Sequence, residues 1–145
     1  MFGCVRFVSN QCVEYAEYRH AEELNYPGYY GPDGFAALVT GLKTVPDLSW
    51  LKSADATALQ NAAKHVDEAY RNMFAHRARK PRYKSKRSNR QTYTTTNNNN
   101  TIRYENGKYI RLPKVGKLHF RGHIRNHECI KFATLENLIL SWFRI

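Results

Sequence analysis

The chain has 145 residues, 42% of them hydrophobic, and a formal charge of +11 from 23 Lys/Arg against 12 Asp/Glu. That is about one domain's length with enough apolar content for a modest core, and no stretch approaches the roughly 20 apolar residues of a membrane helix. No apolar run preceded by Lys/Arg marks a secretory signal, and three cysteines, Cys4, Cys12 and Cys129, fit no disulfide framework, so a reducing, cytoplasmic setting is expected.

The charge is segregated. Residues 1–68 carry five Lys/Arg against nine Asp/Glu, residues 69–104 carry ten Lys/Arg and no acid, and residues 105–145 carry eight against three. Such clustering concentrates a positive field over one surface and is the electrostatic footprint expected of a nucleic-acid binder.

In chain order, Val5, Val8, Cys12 and Tyr15 predict a helix from the first residues to about Leu24. Residues 25–34, dense in Gly and Pro, predict a loop. Its tyrosines, Tyr26, Tyr29 and Tyr30, could stack on bases, although packing is the commoner role of such residues. Phe35, Leu38, Val39 and Leu42 predict a short helix stopped by Pro46, with Trp50 and Leu51 stapling the turn to the core. Residues 53–76 predict the central helix: Leu59, Ala62, Val66, Ala69, Tyr70 and Met73 make its apolar stripe, Ser53 its N-cap and Asp55 its first-turn acid. Its polar face holds Gln60, Asn61, Lys64, Asp67, Glu68, Arg71 and Asn72.

Residues 77–90 form a basic ribbon with no acidic residue. Composition then shifts to Thr, Tyr and Ile, so residues 91–96 predict a strand and 97–100 a polar loop. Residues 101–112 predict a hairpin on the Asn106-Gly107 pair of a two-residue type I′ turn, with Glu105 opposite Lys108 and Tyr104 opposite Tyr109. Residues 117–121 alternate as a further strand, with Lys117, His119 and Arg121 on one basic side. Residues 129–134 predict a last strand, and the apolar tail from Leu135 has no assigned structure. The expected fold class is α+β: a helical recognition-type part over 1–90 ending in the basic ribbon, then an antiparallel β part over 91–145, with 136–145 uncertain.

The ribbon interleaves cations with aromatics, the combination that neutralises phosphates and stacks on unpaired bases. Candidate nucleic-acid-binding residues are Arg79, Lys80, Arg82, Tyr83, Lys84, Lys86, Arg87, Arg90 and Tyr93, with Gln60, Asn61 and Lys64 on the central helix, since amides can read adenine from a helix in the major groove. Taken alone, two amides on a helix are commonly just solvated. His119, His123, His127 and Cys129 lack the paired close spacing of structural zinc ligands. The basic half has only Glu105, Glu128 and Glu136 as acids, not the carboxylate cluster a metal nuclease needs. No catalytic residue, metal or cofactor is therefore assigned, and a histidine- or zinc-dependent enzyme remains the reading from another class.

Seven blocks then converge on a family: FGCVRFVSN at 2–10, SWL at 49–51, ALQN at 58–61, AYRNMF at 69–74, PRYKSK at 81–86, RQTY at 90–93 and LPKVG at 112–116. In this order they resemble the N-terminal third of TnpB, also called OrfB, the transposon-encoded RNA-guided DNA nucleases. The resemblance implies a wedge-like β-barrel interrupted by a helical recognition domain, which together bind guide RNA and a short motif beside the target DNA. It carries the motif-contacting glutamine over to Gln60 and, more loosely, a second contact region to Thr96 and Asn98. A lysine that some relatives place one turn earlier is Ala56 here. The family's first strand would precede this chain, its three-acid nuclease domain and zinc ribbon would follow residue 145, and the likeness fades after Asn126. The resemblance thus implies a truncated protein that binds RNA or DNA without cutting it. The alternative is a small regulator competing with the full-length nuclease.

Overall fold

The computed structural model describes residues 1–88, 90–119, 121 and 130–138. Helix α1, Phe2–Ala21, buries Val5, Val8, Cys12 and Ala16, which recur every three or four residues on one face. Burial pushes the Cys12 thiol up to about 12, so it is a packing group and not a nucleophile.

The loop that follows closes on itself before α2, Phe35–Thr44. The N–H of Phe35 donates to Gly28 O at 2.9 Å and that of Ala36 to Tyr29 O at 3.0 Å. Gly34 allows this approach, since a Cβ there would lie 2.5 Å from the carbonyl oxygens of Tyr29 and Tyr30. Tyr29 is buried, whereas Tyr30 is exposed. Tyr26 packs edge-on to Phe35 at 6.0 Å and to Phe74 at 5.1 Å, so packing is its role. A 3-10 segment, Pro46–Ser53, places Leu51 in the core, and half-exposed Trp50 meets Phe7 edge-on at 5.1 Å.

Helix α3, Ala56–Phe74, is the central element and packs against α1, α2 and the first strand. Its cap is Asp55, not the expected Ser53. The Ser53 hydroxyl donates to Trp50 O at 2.7 Å inside the 3-10 segment, while the Asp55 carboxylate accepts from the Thr57 N–H at 3.0 Å. Leu59, Ala62, Val66 and Tyr70 are buried as expected, with Ala58 and Ala63 beside them; Ala69 and Met73 are half-buried. Asp67, placed on the solvent face by pattern, is buried. It accepts from the Tyr26 hydroxyl at 3.0 Å and from Arg71 Nε at 2.8 Å.

Five strands follow among the described residues: β1 Arg90–Thr96, β2 Arg103–Glu105, β3 Tyr109–Leu112, β4 Gly116–His119 and β5 Phe132–Leu138. Antiparallel β1 and β5 form one ladder, with Tyr93 opposite Leu135 and Thr95 opposite Ala133, all four buried. Strand β5 therefore includes the start of the tail that pattern left unassigned, residues 135–138, and starts later than the expected 129–134, because its register is set by β1, far away in sequence. Strands β2, β3 and β4 form a second antiparallel ladder in that order. No hydrogen-bonded ladder joins the two among the described residues. The fold is thus α+β, with helical and strand residues sharing one hydrophobic cluster.

The hairpin turn forms as expected, but its register does not. Asn106 and Gly107 have φ of 54° and 66°, and the Lys108 N–H reaches Glu105 O at 3.3 Å. The ladder then pairs Glu105 with Tyr109 and Tyr104 with Ile110, leaving Lys108 as an extra residue. The expected Glu105–Lys108 and Tyr104–Tyr109 pairs are replaced. Glu105 instead reaches Arg111 at 2.8 Å and Lys117 at 3.2 Å, and the shift keeps Ile110 and Leu112 facing the core.

Candidate nucleic-acid interface

After α3 the chain reverses: His76 takes φ 57°, and Arg77 and Ala78 donate to Asn72 O. Residues 77–88 then run back along α1 without regular structure. Polar pins hold them. Glu17 accepts from Lys80 Nζ at 2.8 Å and from the Tyr83 hydroxyl at 2.9 Å, and these contacts hold its carboxyl below the usual range. The Asn10 amide donates to Lys84 O at 3.0 Å and accepts from Lys84 N–H at 2.7 Å. Farther along, Gln91 donates to Lys86 O at 3.1 Å and accepts from Arg6 Nη1 at 3.2 Å.

This strapping opens a cleft of about 400 Å³ between the start of α1, the ribbon and the start of β1, lined in part by Phe2, Arg6, Tyr83, Lys84 and Arg90. Three cations and two aromatic rings thus meet around one concavity. The Lys84 ammonium is held below the ordinary lysine value by desolvation. His65 is likewise held below the usual imidazole value, by desolvation first and then by the Lys84 charge. Arg90 is bound to Glu136 at 2.8 Å across the β1–β5 ladder. By contrast Arg79, Arg82, Lys86 and Arg87 are exposed or half-exposed and have no acidic partner among the described residues. Lys80 is partnered by Glu17.

The remaining candidates divide. Gln60 stands exposed on α3, and Lys64 lies over the Tyr29 ring at 5.2 Å. Asn61 faces the protein: its amide donates to Thr94 O and to Thr96 Oγ1, both at 2.9 Å. The same seam links Thr57 and Thr95 hydroxyls at 2.9 Å and Thr95 to the Asp55 carboxylate. Asn61 and Thr96 therefore dock β1 on α3 and are not open to a base. Tyr93 is buried edge-on to Phe2 at 5.1 Å, and burial raises its hydroxyl to about 12, so its ring offers no free face. Asn98 is exposed in the turn after β1.

Pattern reasoning missed Arg6, Asn10 and Glu17, which hold or line the ribbon. Their signal was available, since spacings of four and seven place them on one stripe of α1. It also missed how far the basic sheet face extends. Register brings Arg103, Arg111 and Lys117 into one cross-strand row, with Lys117 over the Tyr109 ring at 4.6 Å and Tyr109 5.5 Å from the His119 ring. Among the described residues no three His, Cys, Asp or Glu side chains converge as metal ligands. His123, His127, Glu128 and Cys129 lie outside the described residues, and Arg121 is exposed. No helix among the described residues is long and apolar enough to cross a membrane.

No family model matches the chain. Two curated proteins do. One, from Streptomyces pristinaespiralis, is named "Putative RNA-guided DNA endonuclease" and is 33% identical over 95 residues, which is 61% of this chain and 21% of that protein. The other, from Escherichia coli K12, is named "Putative RNA-guided DNA endonuclease InsQ" and is 26% identical over 148 aligned positions, 97% of this chain and 34% of that protein. The chain is thus similar in sequence to proteins named "Putative RNA-guided DNA endonuclease", and it spans about a third or less of the length of the relatives it matches.

Proposed function

We propose that this chain binds nucleic acid, guide RNA or transposon-adjacent DNA, through the ribbon 77–90 and the cleft it makes with α1, and does not cut it. The observation that carries the reading is the row of ribbon cations, Arg79, Arg82, Lys86 and Arg87, held outward by backbone and side-chain pins and left without acidic partners among the described residues. Cations so placed exchange condensed counterions for phosphates. Lys84 and Arg6 continue the positive field into the cleft, where Tyr83 offers a half-exposed ring.

Exposed Gln60 is the proposed base reader, because an amide on a helix can make a bidentate contact to adenine. Asn98 is a second polar contact, while Asn61, Tyr93 and Thr96 act from inside the protein. The reading of binding without cleavage is supported by the acids of the basic half that are described. Glu105 pairs with Arg111 and Lys117, and Glu136 pairs with Arg90, so each stands beside cations and not beside a second carboxylate. The names of the relatives support the same partner class.

The test uses purified full chain with labelled transposon-end duplex and its transcript, with and without Mg²⁺. Salt-sensitive binding of at least one, without strand scission, is expected. Guide-dependent scission by rigorously pure protein would overturn the non-cutting part, and absence of binding would overturn the whole reading.

A further inference from the structure

Resting on the nucleic-acid reading above, we propose that the aromatic cleft at the far end of the ribbon takes one unstacked nucleobase, with the adjoining basic groove taking its phosphate. The cleft has a volume of about 560 Å³ and is walled by Leu24, Tyr26, Tyr70, Met73 and Phe74, with Lys80 at its edge. Leu24 and Phe74, 48% and 52% exposed, lie together on this one concavity and leave its apolar walls open to solvent.

The rings are fixed in place. Tyr26 is held by its bond to Asp67, which Arg71 holds in turn. Tyr26 meets Phe74 at 79° and 5.1 Å, so these two rings form a corner, with buried Tyr70 behind them at 34° and 6.2 Å from Phe74. A second groove, of about 300 Å³, shares Glu17 and Lys80 with this cleft and adds Arg79, Arg82 and Tyr83. An apolar, flat-walled hollow thus opens onto a cationic one, with Lys80 common to both.

A nucleotide has this division: a heterocycle with two apolar faces and, one sugar away, an anion. A purely apolar ligand leaves the cations unexplained, and a phosphate alone leaves the rings unexplained. A peptide carrying an aromatic beside an acidic residue would share the chemistry. The nucleotide is favoured because Arg79, Lys80 and Arg82 belong to the same ribbon whose other cations line the proposed phosphate track. Glu17 at the boundary does not repel the phosphate as a free carboxylate would, since Lys80 and Tyr83 already engage it.

The test measures full-chain affinity for a trinucleotide, in ribose and deoxyribose forms, against the same backbone without bases. The base-bearing strands should bind about 5- to 100-fold tighter, the range that base–aromatic stacking supports, and the two sugars distinguish RNA from DNA as the source. Phe74→Ala should erase most of that preference with its salt dependence unchanged, Phe74→Tyr should keep it, and Lys80→Gln should weaken all strands alike. Leu24→Trp, which fills the cleft from the loop side, should also erase it, and unfolding curves confirm that each variant folds. Full base preference retained in Phe74→Ala, or equal salt-sensitive binding of abasic and base-bearing strands by the unaltered chain, overturns the cleft while leaving the nucleic-acid reading intact. Failure of every strand to bind overturns both.

Discussion

The core around α3 and the ribbon beside α1 are held by opposite means. Phe35, Leu51 and Leu59 are fully enclosed, so each is fixed by dispersion and by apolar area removed from water. The ribbon is fixed by exposed polar pins to Asn10 and Glu17, each a modest net contribution in water. A region built the first way resists change, whereas one built the second way can exchange its partners for those of a ligand. The difference explains why the basic surface sits on irregular backbone at the edge of a rigid scaffold.

Breaking the scaffold should have the largest effect. Leu59→Ala should lower unfolding free energy by about 2 to 5 kcal/mol, read from urea denaturation, while salt dependence of binding by the remaining folded protein stays unchanged. Asp55→Ala removes the α3 cap and its buried tie to Thr95 together. A loss of about 1 to 3 kcal/mol is expected from a cap plus a buried hydrogen bond to a carboxylate, Thr95 keeping Thr57 as its partner, and Asp55→Asn should recover part of it.

Gly34→Ala should cost about 1 to 3 kcal/mol, since its Cβ would meet two backbone carbonyls that cannot move without opening the loop. A wild-type unfolding midpoint for this variant would mean that the loop is not closed as described.

On the ribbon side the effects on stability should be small. Glu17→Gln should change stability by less than about 1 kcal/mol, yet should speed proteolysis after ribbon Lys/Arg residues and tighten nucleic-acid binding by releasing Lys80 for phosphate. The pH dependence has a definite sign. The folded carboxyl titrates below its ordinary value, so its contribution is fully present above that value and is lost as pH falls through the lowered one. Trypsin-site protection in the ribbon that persists unchanged in Glu17→Gln would show that this pin holds nothing.

Much of the scaffold was legible in the amino-acid pattern because its signals are local. The stripe of α3, the Gly/Pro loop and the Asn106-Gly107 turn all read correctly, each being decided within a few residues. What was not legible depends on distant partners. Asp67 looks solvent-facing until Tyr26 arrives over it, and Leu135 looks like a stray apolar residue until β1 pairs with it. The hairpin register was set by the burial of Ile110 and Leu112, which overrode the cross-strand pairs inferred from the turn. At the site, the ribbon was legible from charge alone. Its seat on α1 and the inward turn of Asn61 and Tyr93 were not, since polar and aromatic residues serve docking and binding equally well.

The central claim, that the outward cations of the ribbon meet phosphates, is tested most directly by the salt dependence of binding. Neutralising Arg79, Arg82, Lys86 and Arg87 together to Gln should flatten the slope of log affinity against log salt by about 3 to 4 for duplex and somewhat less for a single strand. The loss should be nearly independent of sequence, whereas Gln60→Ala should cost about 1 to 3 kcal/mol on the preferred motif alone and leave the slope unchanged. A folded quadruple variant with an unaltered slope would contradict the account, because phosphates would then be met elsewhere on the protein.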